Sequence, residues 1–339
     1  MKGWLDRIAR LCVALACATA SVRAAPARDG AAADAAAQRR IAVTFDDLPW
    51  ASLGVRAAEV PRTLPRFHAR LVAGLKQEAV PVVGFVNEGK LDGPDGIDAA
   101  RVAMLEDWLA AGAELGNHTW GHVDLHAVGL DAYTRDILAG ERVTRSLLRE
   151  RGAVPRWFRH PFLRAGRTPE DKAALQAMLA QHGYRIAPVT VDNSDWIWAR
   201  AYKRTLDELE PGETRRERLA RLLRDYVPYM LAKLEYYEAQ SRALLGYELP
   251  QVLLLHANEL NAQSFGALVA AIRARGYRFV TLDEALRDPA YGRADGYTGA
   301  YGPSWLHRWA IAESRPREFF AGEPATPGWV LALAGVESE

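Results

Sequence analysis

The sequence predicts an α/β fold built on parallel strands, and two observations carry that prediction. Short apolar runs rich in β-branched residues alternate with longer segments that have apolar residues at helical spacing. Strand-helix alternation of this kind gives parallel strands, arranged as a barrel or as a doubly wound sheet. The length of 339 residues suits one such unit with additions, because barrels of this type reach that size as a single domain.

The composition is that of a globular protein and indicates no charged partner. Hydrophobic residues make up 49% of the chain and charged residues 25%, with a formal net charge of +1. This balance supplies apolar material for a core but no strong field that would gather nucleic acid. We therefore expect no nucleic-acid partner and look for a local binding site.

The first 24 residues have the pattern of an export signal. A basic start is followed by a short apolar run at residues 11–20 and a cleavage site at residues 22–24. The run is shorter than the ~20 residues that cross a bilayer, so we expect a cleaved signal peptide, no stable membrane insertion, and a periplasmic or extracellular protein. A lipoprotein cleavage box at residues 14–17 is the weaker alternative.

Both cysteines, Cys12 and Cys17, lie within this expected signal. The mature chain then contains none, which excludes a disulfide framework, a thiolate metal site and a cysteine nucleophile. Any metal must be held by histidine and carboxylate.

The ordered domain is expected at residues 40–288, after an Ala-rich disordered leader at residues 25–39. Its strands are predicted at residues 41–45, 80–86, 114–116, 157–159, 186–191, 252–255 and 278–280. Its helices are predicted at residues 62–76, 99–111, 131–151, 168–182 and 264–275.

Residues 201–245 interrupt this alternation with a long charged stretch that has leucines and tyrosines at helical intervals. The stretch predicts a helical insertion between two strands. One interpretation is a solvated helical pair, because loops between barrel elements tolerate insertions. The other is a wall of a substrate groove, in which tyrosine rings stack on sugars. Residues 289–339 are aromatic and irregular, and we expect them to pack over the barrel surface.

Two adjacent carboxylates, Asp46 and Asp47, end the first predicted strand. In parallel α/β folds, active sites gather at the carboxyl ends of strands. Neighbouring side chains at a strand end point in different directions, so one carboxylate can bind a metal while the other is free to act as a base. The alternative is a pair that caps the turn before Pro49.

His118 and His122 follow another short predicted strand and lie four residues apart. On a helical turn, that spacing puts both imidazoles on one face. With one carboxylate they complete the three protein ligands of a catalytic zinc site, which leaves a position for a water whose pKa the metal lowers. His126 continues the series, but we do not expect it to be a ligand because a catalytic site needs an open position.

These motifs resemble those of the polysaccharide deacetylase family with a NodB homology domain, carbohydrate esterase family 4. The resemblance covers roughly residues 40–286, and five motifs occur in the family's order, at residues 44–47, 118–122, 159–162, 192–196 and 253–256. It implies a distorted (β/α) barrel with a helical insertion. It also implies a metal-dependent hydrolase that removes N-acetyl or O-acetyl groups from a polysaccharide or oligosaccharide.

The resemblance assigns the base and the metal ligands. It implies that Asp46 is the general base, and that Asp47, His118 and His122 hold a divalent metal ion, for which Zn²⁺ is the expected identity. It further implies that Arg159 pairs with Asp46. A neighbouring guanidinium favours the ionised carboxylate, so Arg159 would keep the base charged and oriented.

The resemblance also assigns the acid and the substrate contacts. It implies that His256 is the general acid, tuned by Asp195, because a carboxylate beside an imidazole raises its pKa and keeps the acid protonated. Phe162 stands where the family usually has Tyr, and its backbone N–H would bind the oxyanion. Trp196 and Leu254 would line the acetyl pocket.

The implied partner is an acetylated glycan, such as chitin oligomers, peptidoglycan, poly-N-acetylglucosamine or acetylated xylan. Two other functions fit parts of the pattern. Non-haem Fe(II) oxygenases also use two histidines and one carboxylate, but they are typically all-β, whereas strands and helices alternate here. A non-catalytic glycan-binding protein of the same fold would be indicated by loss of the base, the acid or a ligand, and all of these are present.

Overall fold

The computed structural model describes residues 39–53 and 60–339. The expected signal peptide at residues 1–24 lies outside the described residues. Of the expected leader at residues 25–39, only Arg39 is described, and it begins the first strand.

Seven strands of the described chain form one sheet, and two more form a separate hairpin. The sheet consists of β1 (Arg39–Leu48), β2 (Val82–Val86), β5 (Glu114–Asn117), β6 (Trp157–Phe158), β7 (Arg185–Ile186), β8 (Gln251–His256) and β9 (Tyr277–Phe279). The hairpin pairs β3 (Asp92–Gly93) with β4 (Gly96–Ile97).

The sheet is parallel and its two ends meet. The strand order is β7-β6-β5-β2-β1-β8, and β9 also pairs with β1, with every pair parallel. Beyond β7 the chain returns to the other end of the sheet, where Val191 forms a parallel bridge with Leu253 of β8. The sheet therefore curls into a distorted (β/α) barrel, and the predicted fold class is confirmed.

Helices cover the outside of this barrel. They are α1 (Leu64–Glu78), α2 (Ala99–Ala110), α3 (Leu125–Val128), α4 (Leu130–Ala139), α5 (Arg142–Arg149), α6 (Pro169–Gln181), α7 (Asp195–Glu208), α8 (Glu213–Leu245), α9 (Glu259–Ala274), α10 (Leu282–Ala285), α11 (Trp305–Ala312) and α12 (Gly328–Ala334). Polar caps fix where several begin, as in α2, where the Asp98 carboxylate accepts hydrogen bonds from two backbone N–H groups of the first turn.

Every predicted strand and helix overlaps an observed one, with two differences in extent. The helix predicted at residues 131–151 is divided into α4 and α5 at Gly140, where a Cβ atom would lie 2.6 Å from the Thr119 backbone. The strand predicted at residues 186–191 is paired only at Arg185–Ile186 and again at Val191, because the chain crosses there from one end of the sheet to the other.

The inserted segment forms α7 and α8, which are separated by the Pro211-Gly212 breaker and pack against α9. Four of its tyrosines, Tyr226, Tyr229, Tyr236 and Tyr237, are buried in the second helix. Their hydroxyl groups bond to other protein groups. Their rings are therefore not available to stack on a sugar, and the groove-wall interpretation is wrong for these residues because they pack inward.

The C-terminal segment after residue 289 contributes α11 and α12 to the outer layer. Trp305 and Trp309 are buried. The backbone N–H of Trp305 donates to the Val189 carbonyl at 2.8 Å, next to the point where the barrel closes. The Trp329 ring of α12 lies 5.8 Å from that of Trp198 in α7. Across residues 39–53 and 60–339, no helix combines the length and the apolar character of a membrane span.

Candidate metal centre and active site

Asp46 and Asp47 lie at the carboxyl end of β1 and are only 3% and 8% exposed. Successive side chains of a strand normally point to opposite faces. Asp47, however, has a φ of 70°, a left-handed conformation that aspartate adopts more readily than most residues. Both carboxylates consequently face one site, and Nε2 of His118 lies 3.7 Å from an Asp46 oxygen and 3.9 Å from an Asp47 oxygen.

His118 and His122 lie on an irregular turn after β5, so the predicted helical turn is wrong. Thr119 and His122 have φ values of 64° and 53°, which a right-handed helix does not allow. The Asn117 side chain accepts a hydrogen bond from the Thr119 N–H at 2.7 Å and stabilises the turn. The two imidazole centroids are nevertheless 5.0 Å apart, so both rings reach the same site.

Asp47, His118 and His122 each offer one ligand atom, and these atoms lie within 4.8 Å of one another. Oδ1 of Asp47 is 3.4 Å from Nε2 of His122 and is buried, and among the described residues it has an ion pair with Lys90 at 3.4 Å but no hydrogen bond. An unsatisfied buried acceptor is costly, and two imidazoles with one carboxylate are the donors of a catalytic zinc site. The residues present therefore fit a divalent cation.

The protonation of both imidazoles suits metal binding. Nδ1 of His118 lies 2.8 Å from the Arg159 carbonyl oxygen, which can only accept, so Nδ1 carries the proton and Nε2 presents its lone pair to the site. Burial lowers the pKa of both His118 and His122, and neutral imidazole is the form that binds metal. Burial by itself raises the pKa of Asp47, but Lys90 and the nearby imidazoles hold it below its ordinary value.

Lys90 is a residue of this site that sequence reasoning missed. It lies in a 3-10 turn (Glu88–Leu91) after β2, and its Nζ is 3.4 Å from Oδ1 of Asp47. The ammonium also donates to the Trp50 carbonyl at 2.8 Å and to Oδ1 of Asn87 at 3.0 Å. Lys90 therefore ties the loop after β1 to the loop after β2. The only signal in the sequence was a lysine just beyond the end of a predicted parallel strand.

Asp46 is held by a fully buried arginine. Nη1 of Arg159 is 3.1 Å from Oδ1 of Asp46, Nη2 donates to Oγ1 of Thr44 at 3.1 Å, and Nε donates to the Ala187 carbonyl at 2.8 Å. These bonds fix the guanidinium beside the carboxylate. Burial raises the pKa of Asp46 to about 6, and the positive charge of Arg159 limits that rise. A carboxylate with this pKa is suited to accept a proton near neutral pH.

His256 and Asp195 form a second buried pair. Nδ1 of His256 lies 2.6 Å from Oδ1 of Asp195, and the other carboxylate oxygen accepts the backbone N–H of His256 at 2.9 Å. Burial alone would lower the pKa of His256, but the Asp195 carboxylate raises it to about 9. The imidazole therefore holds a proton at neutral pH. In the pairing of β1 with β8, His256 stands opposite Asp46, which places these two ionisable side chains on adjacent strands.

The remaining predicted residues lie around this centre. Phe162 is 51% exposed, has a φ of 56°, and its ring centroid is 4.7 Å from that of His122. Trp196 is 38% exposed at the start of α7, whereas Leu254 is buried in β8. His126 lies in α3, outside the group formed by Asp47 and the two histidines.

Comparison with known proteins finds a family match over part of the chain and several similar solved structures. Residues 33–187 match the family model described as polysaccharide deacetylase. No curated protein has a sequence that matches the chain. Among solved structures, the chain is similar to a family 4 carbohydrate esterase pseudoenzyme from Bacillus anthracis, at 13% identity and a TM-score of 0.48, covering 74% of this chain and 66% of that one.

Two further solved structures have comparable similarity. The peptidoglycan deacetylase PdaC from Bacillus subtilis has 18% identity and a TM-score of 0.45, covering 76% of this chain and 96% of that one. A family 4 carbohydrate esterase from Streptomyces lividans in complex with acetate has 16% identity and a TM-score of 0.43, covering 73% of this chain and 95% of that one.

Proposed function

We propose that this chain, whose residues 33–187 match the polysaccharide deacetylase family model, is a member of that family and a hydrolase that removes acetyl groups from a glycan with the help of a divalent cation. The observation that carries the proposal is the meeting of three groups at the carboxyl ends of parallel strands. These are the convergent ligand set, the base with its arginine, and the acid with its aspartate.

Asp47, His118 and His122 would hold the cation, since their ligand atoms converge on one point. When bound there, a divalent cation lowers the pKa of a coordinated water and polarises the acetyl carbonyl. The donor set of two imidazoles and one carboxylate suits Zn²⁺. It leaves room for substrate, because the described part of the chain offers three ligands rather than four.

The chain's own residues move the protons. Asp46, kept ionised and oriented by Arg159, accepts a proton from the attacking water. The backbone N–H of Phe162 donates to the oxygen of the acetyl carbonyl as negative charge develops on it. His256, protonated because of Asp195, gives its proton to the leaving amine or alkoxide. The products are acetate and the deacetylated sugar.

The alternative of glycan binding without turnover uses the same cleft but does not need these pairs. A binding protein has no requirement for a base with a pKa near neutrality or for an imidazole held protonated by a buried aspartate. Both are present here, which favours hydrolysis. The oxygenase alternative is disfavoured by the α/β barrel, because such enzymes are typically all-β.

We also propose that the protein is exported, on the basis of the N-terminal pattern at residues 1–24. Expression of the full chain in a bacterial host, followed by fractionation and N-terminal sequencing, tests this. A mature protein beginning near Ala25 outside the cytoplasm is expected, and an uncleaved cytoplasmic protein would contradict export.

The proposed activity is tested by measuring acetate release from chitin oligomers, peptidoglycan, poly-N-acetylglucosamine and acetylated xylan. The purified chain loaded with Zn²⁺ should release acetate from at least one of them. His118→Ala, which removes a ligand, should bind the metal weakly and release none. A wild-type chain that binds one Zn²⁺ but leaves every substrate intact would support glycan binding without turnover.

A further inference from the structure

The inserted helix α8 contacts the acid pair through a chain of buried hydrogen bonds. Tyr226 of α8 is fully buried, and its hydroxyl donates to Oδ1 of Asn261 in α9 at 2.7 Å. Burial raises the pKa of Tyr226 well above its ordinary value, so the hydroxyl keeps its proton and remains a donor. The ring also packs 5.8 Å from that of Trp198 in α7, which fixes its position.

Asn261 uses its whole side-chain amide in this network. Nδ2 donates to Oδ2 of Asp195 at 2.7 Å and to the carbonyl oxygen of His256 at 2.8 Å. Both of these groups can only accept, so Nδ2 must face them and Oδ1 must face Tyr226. Asn261 is itself buried, and its backbone N–H bonds to the Asn258 side chain at 2.8 Å. The amide therefore has one satisfactory orientation.

Asp195 is consequently held on every side that the structure describes. One oxygen accepts from Asn261 and from the His256 backbone N–H, and the other lies 2.6 Å from Nδ1 of His256. Because Asp195 is the first residue of α7, a small rotation of that helix would separate the carboxylate from the imidazole. Tyr226 and Asn261 oppose that rotation from the neighbouring helices.

We propose that Tyr226 and Asn261 are positioning residues for the general acid, and that the insertion supports catalysis by clamping Asp195 against His256. The inference rests on the proposed function, since it requires that His256 protonates the leaving group. It gives the inserted segment a role that differs from both sequence interpretations. In this proposal the segment is neither a solvated helical pair nor a wall of sugar-stacking rings. It packs behind His256 and holds Asp195 in place.

This role predicts a dependence on the leaving group. An amide or alkyl ester of a sugar needs a proton from His256 when the C–N or C–O bond breaks. Nitrophenyl acetate instead releases nitrophenolate, a stable anion that needs no proton to leave. Disturbing Asp195 through Tyr226 should therefore slow the sugar substrate and spare the aryl ester. A loss of general stability or of metal would slow both substrates.

The experiment compares Tyr226→Phe with Tyr229→Phe as a matched control. Tyr229 lies on the same helix and also packs against Trp198, at 5.1 Å, but its hydroxyl bonds to Thr326 and Glu339 rather than toward the acid. Tyr226→Phe should lower kcat on an N-acetyl-glucosamine oligomer by about three- to tenfold, the size expected for one buried hydrogen bond. KM and the rate with nitrophenyl acetate should stay within about twofold, and Tyr229→Phe should leave both substrates unchanged.

Asn261→Leu is the stronger variant, because it removes both hydrogen bonds that the Asn261 amide donates to Asp195 and His256. It should reduce kcat on the oligomer by about a hundredfold. In a His256→Ala background, Tyr226→Phe should have no further effect. Equal losses on both substrates, or equal effects of the two tyrosine variants, would overturn the proposal.

A proton NMR measurement separates this proposal from the proposed function. The Nδ1–H of His256 in a short bond to Asp195 should resonate far downfield in the wild type and move upfield in Tyr226→Phe, but not in Tyr229→Phe. If the wild type shows this signal and its response yet releases no acetate, the clamp exists and the proposed function fails. If the signal does not respond to Tyr226→Phe, the clamp itself is wrong.

Discussion

At the scale of single residues, Asp46 and Asp47 are neighbours whose pKa values are shifted in opposite directions. Asp46 faces the Arg159 guanidinium, but burial dominates and raises its pKa to about 6. Asp47 faces Lys90 and the imidazole of His122, which outweigh burial and hold its pKa below the ordinary value. The first carboxylate can take up a proton near neutral pH, whereas the second stays ionised, as a ligand must.

This division predicts different results for two isosteric substitutions. Asp47→Asn should weaken metal binding by more than about tenfold, because it removes the carboxylate of the proposed Asp47, His118 and His122 ligand set. Asp46→Asn should retain one metal per chain while losing about a hundredfold or more in turnover, because it removes the proton acceptor. Metal content after dialysis and acetate release are the measurements. Loss of metal from Asp46→Asn would make Asp46 a ligand and contradict the assignment.

The pH dependence of turnover follows from the same residues. Asp46 must be ionised and His256 protonated, so turnover should rise as the pH increases through about 6 and fall as it increases through about 9. A bound cation favours the deprotonated form of both groups, so each limb should lie at or below these values.

The descending limb can be assigned by substitution. Asp195→Asn removes the charge that raises the pKa of His256, so it should shift the descending limb to lower pH and leave the ascending limb in place. The pH profile of kcat for wild type and variant checks this. A descending limb that does not move in Asp195→Asn would mean that it belongs to another group.

The sequence could predict the site residues that belong to a motif. It could not predict the residues outside the motifs that hydrogen-bond to them or form ion pairs with them. Asp46, Asp47, His118 and His122 lie at strand ends, where parallel topology brings side chains together. Lys90 and Asn261 have no spacing that marks them, and the helical spacing of Tyr226 does not indicate its partner. They reach the site only because a loop and two helices pack behind it, and such packing leaves no periodic signature in the chain.

At the scale of elements, the C-terminal segment packs against the loop at residues 161–163. The backbone N–H of Phe162 in this loop is the proposed oxyanion donor. A Cβ atom on Gly302 would lie 1.8 Å from the Phe162 carbonyl oxygen. Arg308 of α11, which is buried, donates to the Leu163 carbonyl. Phe162 and Leu163 have φ values of 56° and 53°, a conformation that costs energy for such residues and needs support from its surroundings.

Gly302→Ala should therefore displace the backbone at Phe162 and reduce kcat by about tenfold or more. Complete loss of an oxyanion donor typically reduces kcat by about 10²–10³. Gly296→Ala, in the same segment, is the matched control, because a Cβ atom there meets no described atom within 4 Å. Acetate release and the thermal midpoint of both variants are measured. Equal turnover in the two variants would mean that the segment does not support the loop.

The elements also show where sequence patterns succeed and fail. The sequence predicts β1 because this strand contains a run of apolar and β-branched residues. Such a run is typical of a parallel strand that is buried on both faces, and β1 is buried along most of its length. The turn from His118 to His122 was predicted as helical because a four-residue spacing fits a helix. Thr119 and His122 instead have left-handed φ values, and the turn is bonded to the Asn117 side chain and to Asp136 of α4. The bonds to α4 join residues that the four-residue spacing does not relate.

At the scale of the whole molecule, the fold should not depend on the metal. The buried apolar clusters extend over the barrel and its helices, and Lys90 offsets the charge of Asp47 when no cation is bound. Chelation should therefore abolish acetate release while leaving the circular dichroism spectrum unchanged.

Metal at about a hundred times its dissociation constant should stabilise the folded state by about 2.7 kcal/mol. Thermal unfolding of wild type with and without Zn²⁺ measures this, and Asp47→Asn serves as the control that should show little shift. A chelated wild-type chain that unfolds would show that the metal is part of the folding core rather than a resident of a preformed site.

In the proposed function, one cation held by Asp47, His118 and His122 enables hydrolysis of an acetylated glycan. Titration of Zn²⁺ into the chelated chain, with acetate release from an N-acetyl-glucosamine oligomer followed at each point, tests it most directly. Acetate release should rise in proportion to bound metal and level off at one equivalent per chain, and His122→Ala should not respond. Acetate release that is independent of metal, or its absence once one equivalent is bound, would contradict the claim.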